Sequence, residues 1–162
     1  MNLIEKSFLA VLVILVIGCS GSGSGWKDTN LISHGIPITI QAPDSLDVRR
    51  SSIAFQEDIT LKGSDGFEVQ VFISDAYVNN QADAIRSQRE SVQESPYFHS
   101  IVSEDENGFV FENRIDSSHL SFGFRHVRLM GGKEYVFQEP LMSSFTEEQA
   151  SRLYEAVTSS VK

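Results

Sequence analysis

The heptapeptide Phe67-Glu68-Val69-Gln70-Val71-Phe72-Ile73 carries the clearest structural signal in the chain. Phe67, Val69, Val71 and Ile73 share one parity and Glu68, Gln70 and Phe72 the other, so an extended backbone puts four apolar side chains on one face. That is the pattern of a half-buried strand. Upstream, Ile53 with Phe55 and Ile59 with Leu61 outline two more short extended pieces. They end at Gly63-Ser64-Asp65-Gly66, a run of turn formers. Earlier still, Ile36, Ile38 and Ile40 alternate around Pro37 and Thr39 until Ala42-Pro43-Asp44 interrupts them, which reads as an opening strand and a turn.

Downstream the period changes. Between residues 79 and 94, Ala82, Ile85 and Val92 fall at i, i+3 and i+10 among Asp, Arg, Gln and Glu, with Asn80 placed to cap and Pro96 to terminate. This predicts a solvent-facing helix with one narrow apolar stripe. Residues 101–105 and 109–115 then flank Asn107-Gly108, a dipeptide favoured in type I′ hairpin turns because both central positions need φ > 0. Residues 120–130 and 133–138 read as two further strands joined at Gly131-Gly132, completing a meander. In the last segment Ala150, Leu153, Tyr154, Val157 and Val161 line one helical face. Thr146 and Gln149 have capping-box spacing, and Phe145 is placed to staple onto Ala150. That face should cover the side of the sheet carrying Phe67, Val69 and Val71. Strands and helices that come in groups rather than in alternation predict an α+β fold, an antiparallel β-sheet flanked by helices.

Composition narrows function by exclusion. A chain of 162 residues with 41% hydrophobic content supports one compact domain. A net charge of -9 and a sequence pI near 4.8 leave no basic footprint for phosphates, so no nucleic acid is expected as a partner. The same acidity argues against purely electrostatic attachment to anionic lipid, which draws on clusters of Lys and Arg. Cys19 is the only cysteine, so no disulfide can form within the chain.

The N-terminal stretch is an export signal. A short polar start with Lys6, partly offset by Glu5, precedes the unbroken apolar run Phe8 to Ile17. Its ten residues fall short of the roughly 20 needed to cross about 30 Å of hydrocarbon, so export and cleavage fit better than a membrane span. The run ends in Val16-Ile17-Gly18-Cys19, which resembles the lipobox of bacterial lipoproteins. The resemblance implies that the Cys19 thiol receives a diacylglycerol and that the signal peptide is cut just before it. Two acyl chains meet the general requirement for stable anchoring. The competing reading is an incidental cysteine after an ordinary signal, or an uncleaved helix. Ser20 to Gly25 (SGSGSG) then has the composition of a flexible linker. Residues 1–18 are accordingly read as a cleaved signal peptide, 19–34 as the lipidated cysteine and a flexible tether, and 35–162 as a single α+β domain. The resemblance further implies a cell-envelope address. With Ser20 rather than Asp after the cysteine, that address is the outer membrane facing the periplasm if the host is Gram-negative.

The order of elements, with Pro37 to Asp44 (PITIQAPD) as an extended opening segment and an N-G turn among antiparallel strands, resembles the PsbP/Mog1-like superfamily over residues 36–161. The resemblance implies an antiparallel sheet sandwiched with helices and a role in binding other proteins.

Catalytic signals are weak. His119 and His126 lie seven apart on one extended stretch, so regular alternation puts them on opposite faces unless Gly123 supplies a bulge, and the acids near His99, namely Glu104, Asp105 and Glu106, sit at a hairpin turn where solvated charge is expected. No G-x-S-x-G elbow occurs in the domain, and carboxylate pairs such as Asp47 with Glu57 or Glu134 with Glu139 are what a chain with 22% charged residues yields by chance. No catalytic, metal or cofactor-binding residue is assigned. Arg49, Arg50, Arg114, Arg125 and Arg128 stand out in an acidic protein as a possible contact surface, since Arg is favoured at interfaces. Spaced arginines also simply keep sheet edges soluble. The leading expectation is a non-catalytic protein-binding or assembly accessory module held to the membrane through Cys19, its partners drawn from envelope proteins. The alternative is a small-ligand carrier or enzyme with a pocket between sheet and helix.

Overall fold

The computed structural model of the chain describes residues 25–53 and 56–159. The signal peptide, Cys19, the linker up to Ser24 and Val161 lie outside these. The order of elements is β1 (Lys27–Asn30), a 3-10 turn (Ile32–His34), β2 (Thr39–Ala42), β3 (Asp47–Ile53), β4 (Gln56–Lys62), β5 (Glu68–Asp75), α1 (Gln81–Gln93), β6 (Phe98–Asp105), β7 (Gly108–Arg114), β8 (Leu120–Met130), β9 (Lys133–Gln138) and α2 (Glu147–Thr158). Seven strands form one sheet in the order β3-β4-β5-β9-β8-β7-β6, and β1 pairs with β2 in a separate hairpin. Every pairing is antiparallel. The α+β expectation with a helix-flanked antiparallel sheet therefore holds.

The alternation in β5 explains the layers. Val69, Val71 and Ile73 stand opposite Leu61, Ile59, Phe137 and Tyr135 on neighbouring strands, and directly opposed residues share a face. That face is covered by α2 and the β1–β2 hairpin, and Leu153, Ala150, Val157, Trp26, Leu31 and Ile40 join it in one core. The other face receives α1, whose Ala84, Ile85 and Val92 pack with Phe109, Phe111 and Val127. α1 is capped by Asn80, whose side chain accepts from Asp83 N at 2.8 Å. α2 opens with the Thr146–Gln149 capping box.

Three differences from the sequence reading have local causes. Residues 26–34 pack with the domain rather than standing off it as a tether, because Trp26 and Leu31 are buried and the polar stretch between them pairs with β2. The strand after Ala42-Pro43-Asp44 starts at Asp47, so Arg49 and Arg50 are strand residues on the outermost strand of the sheet. The β6–β7 turn is centred on Glu106-Asn107, not on Asn107-Gly108, and Asn107 has no positive φ. Asp105 Oδ1 accepts from Asn107 N at 2.7 Å and so shapes the turn. Gly108 is instead the first residue of β7, where an added Cβ would sit 1.8 Å from the Arg125 carbonyl oxygen. The Gly131-Gly132 turn does have positive φ at both positions, 61° and 76°, as a two-residue hairpin between right-twisted strands requires.

Strand directions define two ends of the sheet. At one, the near end, β3, β5, β6 and β8 begin and β4, β7 and β9 finish. Trp26 lies there, edge-on to Phe67 at 5.1 Å, with the Arg152 guanidinium 4.0 Å over its ring. No helix among the described residues is long and apolar enough to cross a membrane.

Candidate functional site

The five arginines do not assemble into one surface. The register Arg49–Thr60–Gln70–Gln138–Arg125 puts Arg49 and Arg125 on the α1 face, four strand spacings apart, which is about 19 Å. Arg50, Arg114 and Arg128 have the opposite parity. Arg49 pairs with Asp47, Arg50 pairs with Glu57 and donates to the His34 carbonyl, and Arg114 pairs with Glu112. Arg125 is internal: its Nη1 donates to Glu139 Oε2 at 2.8 Å, with the two side chains 14% and 18% exposed, and its guanidinium lies 5.3 Å from the Phe111 ring centre.

A groove of about 580 Å³ lies between α1 and the β6–β7 turn. One wall is the stripe Gln81, Ala82, Ile85, Arg86 and Arg89, whose 1-3-1-3 spacing keeps it on a single helical face. The other is Asp105-Glu106-Asn107. The turn is held from both sides of the sheet. From α1, Arg89 pairs with Glu104 and its guanidinium lies 5.8 Å from the Phe109 ring centre. From α2, the Tyr154 hydroxyl donates to Asp105 Oδ1 at 2.6 Å. Burial and the Asp105 carboxylate raise the Tyr154 pKa, so its hydroxyl stays a donor throughout the physiological range. Arg86 pairs with Asp83, and Gln81 donates to the Val127 carbonyl. Beneath the turn His126 is fully buried between Phe137 and Tyr154, with neither ring nitrogen hydrogen-bonded.

The lining sets the chemistry. It offers two guanidiniums, two carboxylates and two amides beside Ala82 and Ile85, and no hydroxyl, thiol, amine or imidazole. Such a surface can recognise polar and charged groups. Of the histidines, His119 is exposed and pairs with Asp116 Oδ2 at 2.7 Å, well away from buried His126. Among the described residues no group of three or more His, Cys, Asp or Glu is placed to hold a metal ion. The carboxylates noted in the sequence have individual partners: Glu57 with Arg50, Asp47 with Arg49, Glu139 with Arg125, and Glu134 with Gln88 at 3.0 Å. Sequence reasoning missed Arg86, Arg89 and Asp105 because each looks like ordinary surface charge in its own segment. The one legible hint was their position beside a hairpin turn and on the polar side of a helix.

Comparison with protein families, with curated proteins and with solved structures finds no match to this chain.

Proposed function

We propose that the chain is a lipid-anchored lipoprotein of the bacterial cell envelope, a non-catalytic protein-binding or assembly accessory module. We further read its helix-flanked antiparallel sheet as a PsbP/Mog1-like sandwich. The observation that carries the reading is Val16-Ile17-Gly18-Cys19, set only six residues, Ser20 to Gly25, ahead of a folded domain that begins at Trp26. With lipid on Cys19 the spacer has a root-mean-square reach of about 12 to 15 Å, so the domain would work close to the bilayer. In a Gram-negative host Ser20 fits the periplasmic face of the outer membrane.

The groove suits binding, since it is open and carries both signs of charge. An enclosed apolar cavity would favour a small ligand, and a charged open cleft suits a segment of another protein. The test is affinity capture of the lipidated protein from detergent-solubilised envelope, run beside Arg86→Ala/Arg89→Ala. An envelope protein retained by the wild type and lost by the variant supports the reading. Identical captures, or turnover of a small substrate by both proteins, count against it.

A further inference from the structure

Five of the nine large exposed apolar side chains among the described residues lie at the near end of the sheet. The loop after β9 presents Leu141 and Met142, which are 75% and 103% exposed. The register Gln70–Gln138 puts this loop at the level where β5 begins, and Phe145 at its far side bridges back to Phe122 near the start of β8. Ile115 and Leu120 flank the β7–β8 loop and Tyr97 precedes β6, all three roughly half exposed. Strands β6, β7 and β8 and the 139–145 loop are neighbours, so the rim spans about 15 Å. Met142 has φ 68°, a left-handed conformation uncommon outside glycine, so the loop holds a fully exposed thioether at some conformational cost. Isolated exposed apolar residues need no explanation, but several gathered at one end of the sheet point to a contact.

The same end receives the incoming chain. Trp26 sits against Phe67, and Lys27 pairs with Asp44 at 2.6 Å, beside the turn between β4 and β5. The six residues Ser20 to Gly25 separate this point from Cys19, and even fully extended they span no more than about 22 Å. Resting on the lipoprotein reading above, we propose that this rim is a second membrane contact, in which Leu141, Met142, Ile115, Leu120 and Tyr97 dip into the lipid interface and fix the orientation of the anchored domain. The occupant is the apolar-polar boundary of the bilayer rather than anionic headgroups. Lys27, Lys62 and Arg114 at this end are paired with Asp44, Glu68 and Glu112, and Arg152 lies over the Trp26 ring. Orientation by this rim holds the groove between α1 and the β6–β7 turn away from the lipid.

The experiment uses the lipidated protein in phosphatidylcholine vesicles. The Cys19 thiol carries the lipid, so one introduced cysteine is the only free thiol. Leu141→Cys and Ile115→Cys report the rim, and Tyr77→Cys, in the β5–α1 loop at the opposite end and 88% exposed, is the control. Each is labelled with a polarity-sensitive fluorophore and quenched with aqueous iodide and with brominated lipid. The expected result is a blue-shifted emission at positions 141 and 115, several-fold weaker iodide quenching than at 77, quenching by brominated lipid, and no gain on adding anionic lipid. The proposal is overturned if the N-terminal peptide is acylated and the protein is vesicle-bound, yet the rim labels behave like that at 77. Rim labels that are aqueous on vesicles and shielded only in native envelope also overturn it, in favour of a protein partner. An unacylated Cys19 is a different failure, since it removes the anchoring reading itself.

Discussion

Folding stability should fall on mild acidification through one residue, His126. Its ring is completely buried, 5.5 Å from the centre of Phe137 and 6.3 Å from that of Tyr154. Burial first, then the charge of Arg128, push its pKa from 6.5 down to about 4. The Asn107 backbone and Asp105 pull weakly the other way, although the Asn107 approach does not reach hydrogen-bond geometry. The native state therefore refuses a proton that the unfolded chain accepts below pH 6.5. The contribution is intact above 6.5 and is lost progressively as pH falls from there through about 4. Each unit is worth about 1.4 kcal/mol. Between pH 7.5 and 5.0 only the interval below 6.5 counts, so the loss is about 2 kcal/mol against a total of roughly 5 to 15. His126→Phe removes the titration. Because neither ring nitrogen has a partner, the substitution breaks no hydrogen bond, and the added bulk costs about 1 kcal/mol or more. Urea unfolding of both proteins at the two pH values cancels the carboxylate contributions they share. The wild type should lose about 2 kcal/mol more than the variant. Equal losses would show that the buried neutral imidazole is not what links stability to pH.

Two further substitutions test the packing. Leu153 is 1% exposed in the core shared with Phe67, Val69 and Val71, so Leu153→Ala should cost about 2 to 5 kcal/mol, whereas exposed Glu148→Ala should change stability by no more than about 0.5. Thermal unfolding of the pair reads the contrast, and equal melting temperatures would sink the assignment of α2 to the core. Trp26→Ala should cost about 3 to 5 kcal/mol, since it empties the site between Phe67 and Arg152, while a tether running to residue 34 would make the change silent.

These cases show where the sequence was legible. The faces of β5 and α2 that meet in the main core are apolar at regular intervals, so their periods of 2 and about 3.6 appear directly in the order of apolar residues. β1 (KDTN) and most of β3 (DVRRSS) lie at the margins of the fold, where little burial is demanded and no alternation is written. β1 was betrayed only by the large apolar residues that bracket it, Trp26 and Leu31. The β6–β7 turn was placed one residue late because an Asp105 side-chain hydrogen bond outweighed the N-G preference, and because Gly108 answers a close approach of β8 rather than a turn. The groove was invisible for another reason. Its parts come from α1, from the β6–β7 turn and, through Tyr154, from α2, and no local pattern records a meeting of segments so far apart. Of the conspicuous arginines, four of the five have local acidic partners.

The central claim is that this domain is held to a membrane by lipid on Cys19, and mass spectrometry of the N-terminal peptide of the protein purified from its native envelope tests it most directly. The account predicts a chain that begins at Cys19 with a diacylglycerol thioether on its sulfur, and an unacylated Cys19→Ser variant. A wild-type chain that begins elsewhere, or carries an unmodified Cys19, would contradict it.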